Sequence, residues 1–250
     1  MRETYRVNLL LVEATELAGD GTCTLAADDR RVEHVRTVLG ARVGSKLRAG
    51  VLGGKLGTAE VLADTGTLTL RLELTDEPPE QLAVDLVLAI PRPKVLARVI
   101  ETCAAFGVRR IDLTNAWRVD KSYLRSPRLA ASSLAQAARL GAEQGATTHV
   151  PQIRVFERLM ALLDAEPFAD VMKLIAHPRT PPIEAAATTP LPCVLAIGPE
   201  GGWIERELAT FVDRGFVACS IGGPILRVEA AVSAALAQLM LLARSRSATR

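Results

Sequence analysis

The sequence is poor in the residues that usually announce chemistry. Its four cysteines (Cys23, Cys103, Cys193, Cys219) have no paired spacing. That excludes a legible zinc ribbon or redox dithiol and points to small buried side chains in a reducing compartment. Its three histidines (His34, His149, His177) are equally dispersed, so no metal site is expected. The net charge is only +2, so an argument for nucleic-acid binding has to be made locally. No uninterrupted apolar run reaches the length of a bilayer span, the start of the chain lacks a signal-peptide core, and no internal repeat is evident. The expectation is a soluble cytoplasmic protein without a membrane partner.

What is present is apolar bulk. At 49% hydrophobic content, 250 residues can bury one large domain or two moderate ones. Short apolar stretches recur at Val7–Val12, Cys23–Leu25, Lys46–Ala49, Leu56–Leu62 and Leu68–Leu74, punctuated by glycine and acidic residues, which predicts a small β-rich module. One helix interrupts it, capped by Asp28 or Asp29, with Val32, Val35, Val38 and Leu39 as its buried stripe. The polar, proline-paired Glu77-Pro78-Pro79-Glu80-Gln81 marks a boundary between a domain over 1–76 and a second over 82–250.

Beyond that boundary strands and helices alternate, as in an α/β domain with a mostly parallel sheet. The expected strands are Val84–Ile90, Arg110–Leu113, Val171–Ala176, Cys193–Ile197 and Val217–Ile221. The expected helices are Val95–Phe106, Arg128–Ala142 (started by Ser126-Pro127), Phe156–Leu163 and Glu205–Arg214. A final apolar helix carries Val232, Leu236, Leu239 and Ala243 on one face.

Two glycine-rich turns follow successive strands and precede helices: Gly198-Pro199-Glu200-Gly201-Gly202 and Ile221-Gly222-Gly223-Pro224-Ile225-Leu226-Arg227. Ligands of parallel sheets bind beyond the carboxyl ends of the strands, and glycine lets a ligand approach the main chain. Neither turn has the Gly-Lys-Ser/Thr ending of a nucleotide triphosphatase or the Gly-x-Gly-x-x-Gly of a dinucleotide fold. One such turn alone would be an ordinary helix cap; two on successive strands indicate a site.

The run Leu195–Trp203, with Glu207, Phe211, Gly215-Phe216 and Ile225–Ala231, closely resembles the 16S ribosomal RNA uridine N3-methyltransferase family of the SPOUT superfamily. The resemblance is strong over roughly Leu191–Leu239 and weaker but collinear elsewhere, through Ile90-Pro91-Arg92, Gly107-Val108, Ala142-Glu143-Gln144 and Val150-Pro151. Arg6 and His34 have counterparts in the family's N-terminal module. The resemblance implies a PUA-like RNA-binding β-barrel followed by a SPOUT α/β domain with a C-terminal trefoil knot. It also implies S-adenosyl-L-methionine (SAM) as cofactor, small-subunit ribosomal RNA as substrate, and a homodimer. The chain departs from the family where Glu-Arg-Ser becomes Trp117-Arg118-Val119 and where Ser-Gly-Arg becomes Gly145-Ala146-Thr147.

His177, Ile197, Gly198, Glu200, Gly201, Gly202, Ile221, Gly222, Ile225 and Leu226 are the implied cofactor residues. A uracil N3 carries a proton, so the reaction needs that proton removed or the resulting charge stabilised. Arg227 suits the charge, or else an ion pair with Glu229. Glu200 or Glu229 suits the proton, unless Glu200 is simply a carboxylate at a helix N-terminus. Between Arg92 and Arg128, nine cations face Glu101, Asp112 and Asp120. Within that segment Arg92, Lys94, Arg118 and Lys121, together with Arg6, are expected to meet RNA. The alternatives are a non-catalytic ribosome-assembly protein on the same scaffold and a methyltransferase with a different RNA target.

Overall fold

The computed structural model describes residues 9–165 and 168–247; Arg6 and the start of the first expected strand lie outside them. Strands β1 (Leu10–Val12), β2 (Thr22–Leu25), β3 (Lys46–Val51), β4 (Leu56–Asp64) and β5 (Leu68–Asp76) form a curled mixed sheet in the order β1-β3-β4-β5-β2. Alternation along β5 buries Leu68, Leu70 and Leu72 against Val32 and Val35. The helix carrying those valines is only α1 (Arg30–Glu33), capped by Asp29 rather than Asp28. It widens over 34–38 into a turn closed by Leu39 N–H on the His34 carbonyl. That wider turn shifts the register, so Val38 is 62% exposed instead of completing the buried stripe.

The irregular residues 77–81 lead into six strands, β6 (Leu82–Ala89), β7 (Val108–Thr114), β8 (Gln152–Phe156), β9 (Met172–Ala176), β10 (Cys193–Ile197) and β11 (Val217–Cys219). They lie in the order β11-β9-β10-β6-β7-β8, and every pairing is parallel. The central strands β6 and β10 are almost wholly buried, as expected where helices cover both faces. Those helices are α2 (Pro93–Ala105), α3 (Ala131–Gly145), α4 (Leu159–Ala165), α5 (Ile183–Ala186), α6 (Glu205–Asp213) and α7 (Val228–Ser247).

Two expectations need correction here. Ser126-Pro127 starts only one tight turn over Pro127–Leu129; Ala130 is extended, and the helix proper begins at Ala131. Phe156 ends an edge strand rather than opening a helix, because Gln152–Phe156 pairs with β7 and Arg154 reaches Asp112. Helix α7 is long and apolar enough, by length and composition, to cross a membrane, while Glu229, Ser233 and Gln238 interrupt its apolar run as the sequence indicated. Its Val232, Leu236 and Leu239 are fully buried in the core around the parallel sheet.

Glycine sets the approach of α2 and α3. A Cβ on Gly141 would stand 2.1 Å from the Glu101 carbonyl oxygen, and one on Gly145 2.5 Å from that of Ala105. Gly141→Ala should therefore force the helices apart and cost at least about 1–3 kcal/mol, read as a lowered denaturation midpoint. The far end of α3 holds the first sheet to the second. Leu9 N–H donates to the Glu143 carbonyl (3.0 Å), Gly53 N–H to that of Thr148 (2.8 Å), and Arg30 grips the Glu143 carboxylate with two hydrogen bonds.

All four cysteines are buried and free. Burial pushes the thiols of Cys103, Cys193 and Cys219 up to about 12 and raises that of Cys23. The native protein at pH 8 should give almost no reaction with a thiol reagent, and four equivalents in denaturant. A thiol that reacts at once would place that cysteine at the surface. Unfolding returns these thiols to their ordinary value of 9.0, so their contribution to stability is intact below that pH and declines as pH rises toward 12.

Candidate active site

Because the six strands run parallel, their carboxyl ends share one edge, where α/β folds hold ligands. The loops leaving β9, β10 and β11 wall a cleft of about 260 Å³ at that edge. His177, Ile197, Gly198, Glu200, Gly201, Gly202, Ile221, Gly222, Ile225 and Leu226 all line it. Sequence reasoning missed Ala176, Pro178, Pro199, Trp203, Ser220, Pro224, Val228 and Ala231. Pro199, Pro224 and Trp203 lie within or beside the glycine motifs, and Pro178 follows His177. Val228 and Ala231 share a face of α7's first turn, a spacing that could have found them.

The glycines do different work. Gly202 has φ +72°, a left-handed conformation that turns the chain toward α6. A Cβ on Gly198 would come within 3.2 Å of the Trp203 indole, itself packed on Phe211. A Cβ on Gly201 would come within 3.0 Å of the Arg118 Cδ, so this glycine makes room for an arginine rather than for a ligand. A Cβ on Gly222 or Gly223 would meet nothing within 4 Å, so both face open space, and Gly222 does so in the cleft wall itself.

Hydrogen bonds tie this wall to loops distant in sequence. The Glu200 carboxylate accepts from Arg92 N–H (2.9 Å), at the N-cap of α2. It is thus a carboxylate at a helix N-terminus, though of α2 rather than of the helix that follows it in sequence. Arg118 Nη1 donates to the Gly201 carbonyl. Arg118 therefore supports the glycine loop directly, which the expectation of a pure RNA contact omits. Glu207 of α6 accepts from Trp117 N–H (2.8 Å) with one oxygen and from Ile204 N–H (3.0 Å) with the other. Residues 116–119 are pinned in this way, with Ala116 and Val119 buried and Trp117 and Arg118 exposed.

Arg227 is exposed between the lining residues Leu226 and Val228, and Glu229 lies in the first turn of α7. No hydrogen bond or ion pair joins their side chains, so the expected structural pairing is absent between these two described residues. His177 Nδ1 lies 2.9 Å from the Pro178 carbonyl, and His177 N–H donates to the Cys219 carbonyl. The cation-rich segment divides. Arg109 and Arg110 pair with Asp85, and Arg110 also with Asp112, on side chains well down the sheet. Arg92, Lys94, Arg118 and Lys121 remain exposed near the carboxyl edge.

The chain is thus an α/β protein with a glycine-walled cleft at the carboxyl edge of a parallel sheet, where such folds hold ligands, flanked by exposed cations. Residues 78–240 match the family model described as RNA methyltransferase domain, and the chain belongs to that family. It is 28% identical over 242 residues to ribosomal RNA small subunit methyltransferase E of Treponema pallidum, covering 94% of this chain and 91% of the relative. A relative of the same name in Mycobacterium bovis is 29% identical over 84% of this chain and 83% of its own length. Its fold resembles the crystal structure of a ribosomal RNA small subunit methyltransferase E from Neisseria gonorrhoeae bound to S-adenosyl methionine. That match has a TM-score of 0.78 at 23% identity, over 94% of this chain and 97% of that one.

Proposed function

We propose that the protein methylates N3 of a uridine in small-subunit ribosomal RNA, with SAM as methyl donor. The observation that carries the reading is the convergence of three β-strand loops on one glycine-lined cleft in a chain of the RNA methyltransferase family. The relatives' shared name supplies the small-subunit target, and the cofactor named with the Neisseria structure supports SAM. The cleft fits that group. Ile197, Leu226, Val228 and Ala231 offer apolar surface to an adenine, and Gly222 leaves backbone exposed to a ribose or an amino-acid tail.

SAM supplies an electrophilic methyl group on a positively charged sulfur. The chain's own task is to align the uracil with that methyl and to manage the N3 proton. Arg227, exposed at the cleft rim, stabilises the negative charge that grows on the base as N3 loses its proton. Of the two carboxylates Glu200 lines the cleft but is engaged with Arg92 and acts as a positioning residue, so Glu229, whose carboxylate has no hydrogen bond or ion pair among the described residues, takes that proton. Arg92, Lys94 and Lys121 hold RNA phosphates.

The same reading makes residues 1–76 a PUA-like barrel and 82–250 a knotted SPOUT domain in a cytoplasmic homodimer. Support for the knot comes from α7. Gln238 Nε2 donates to the Ile221 carbonyl (2.7 Å), and Arg246 reaches the carbonyls of Ala187 and Thr188, so the last helix is strapped to segments that precede and follow β10. The exposed remainder of α7, including Leu241, is the proposed dimer face. Titration calorimetry tests the cofactor. SAM and S-adenosylhomocysteine should each bind once per chain, and absence of binding by both would overturn the reading.

A further inference from the structure

We propose that Trp117 is a stacking platform for an unpaired base of the RNA, next to the nucleotide being methylated. The inference rests on the RNA methyltransferase reading and goes beyond it, because it gives a binding role to a residue outside the cleft lining. Two tryptophans occur in the chain, and they occupy opposite environments. Trp203 is 4% exposed and packs on Phe211, whereas Trp117 is 79% exposed.

A ring left 79% exposed forgoes the stabilisation that burial of its area would bring, and that area stays open to a ligand. The ring also stands on a braced loop. Ala116 and Val119 are anchored in the core, Glu207 holds the Trp117 N–H, and Arg118 clasps the Gly201 carbonyl of the cleft wall. The backbone that carries the ring, next to the arginine bound to the cleft wall, is therefore fixed before any ligand arrives. Exposed Arg118, Lys121, Arg92 and Lys94 outnumber Asp120, Glu200 and Glu207 beside them and so favour a polyanion over an apolar protein surface. A flat aromatic amid cations is how single-stranded RNA is gripped: phosphates are neutralised and splayed bases stack. Because the ring reads no base edge, it should hold the flanking nucleotide without strong sequence preference.

The test uses the full chain with a single-stranded RNA oligonucleotide, a duplex of the same sequence, and the variants Trp117→Phe and Trp117→Ala. Single-stranded RNA should quench tryptophan emission in the wild type, and most of that quenching should be lost in Trp117→Phe, where only Trp203, 4% exposed in the cleft wall, remains. Trp117→Phe should keep RNA affinity within about threefold, since phenylalanine still stacks. Trp117→Ala should lose about 5- to 150-fold, mainly as a raised KM for RNA, with SAM affinity and sedimentation unchanged. Unaltered RNA affinity in Trp117→Ala overturns the proposal while leaving the methyltransferase reading intact. So does a change in sedimentation, which would mean that a second copy covers the ring. A wild type that binds SAM but neither RNA removes the reading on which the proposal rests.

Discussion

Arg227→Ala should methylate about a hundredfold more slowly, or worse, while binding SAM and RNA nearly as well as the wild type. The guanidinium is exposed at the rim of the cleft, between two residues that line it. It supports no other described side chain, so its removal should not loosen the fold. What disappears is a positive charge positioned before the uracil loses its N3 proton, where in bulk water the solvent would have to reorganise. Single-turnover kinetics at saturating RNA and SAM isolate this step. A slow chemical step with unchanged dissociation constants is the expected result. A wild-type rate would remove Arg227 from the chemistry, and a loss confined to RNA affinity would make it a phosphate contact.

Gly222→Val should abolish measurable SAM binding, a loss of at least about a hundredfold, without unfolding the protein. The position suits the experiment for two reasons. Its backbone is not in the left-handed region, so valine is tolerated there, and a Cβ would meet nothing within 4 Å except the space of the cleft itself. At a hundredfold excess over its dissociation constant, SAM should stabilise the wild type by about 2.7 kcal/mol and the variant not at all. The variant's midpoint without SAM should match the wild type's. Gly201→Val makes the contrast. Its side chain would collide with Arg118, so it should disturb the loop over 116–119 along with the cleft. Normal SAM binding by Gly222→Val would mean that the β11 loop is not part of the cofactor site.

How far the site was legible follows from where its information sits in the chain. Cys193–Ile197 and its glycine turn were readable because a buried parallel strand is a continuous apolar run and because the turn that follows needs residues without side chains. The β11 loop was readable from its glycines alone, since β11 is a short edge strand with Val217 exposed. Edge strand β8 was not, since Gln152–Phe156 is short and half exposed, and Phe156 looked like the start of a helical stripe. Nor was the widened turn at 34–38, whose register shift exposes Val38 without any trace in the periodicity. The bonds that give Glu200 and Arg118 their positions join residues 108 and 83 places apart. Pairings at that separation leave no pattern in one sequence. Glu200 was therefore open between proton acceptor and helix-terminal carboxylate until the fold brought it to α2. Arg109 and Arg110 illustrate the converse, for a run of charge in sequence divides once strand β7 carries part of it down the sheet, away from the carboxyl edge.

The central claim is methyl transfer to N3 of a uridine in small-subunit RNA, and nucleoside mass spectrometry tests it most directly. Small ribosomal subunits lacking the modification would be incubated with the purified protein and SAM carrying a deuterated methyl group, then digested to nucleosides. The account predicts one labelled methyl group per subunit, recovered as 3-methyluridine, and none with Arg227→Ala over the same interval. Label in a different nucleoside, or no label from a protein that binds both SAM and RNA, would contradict it.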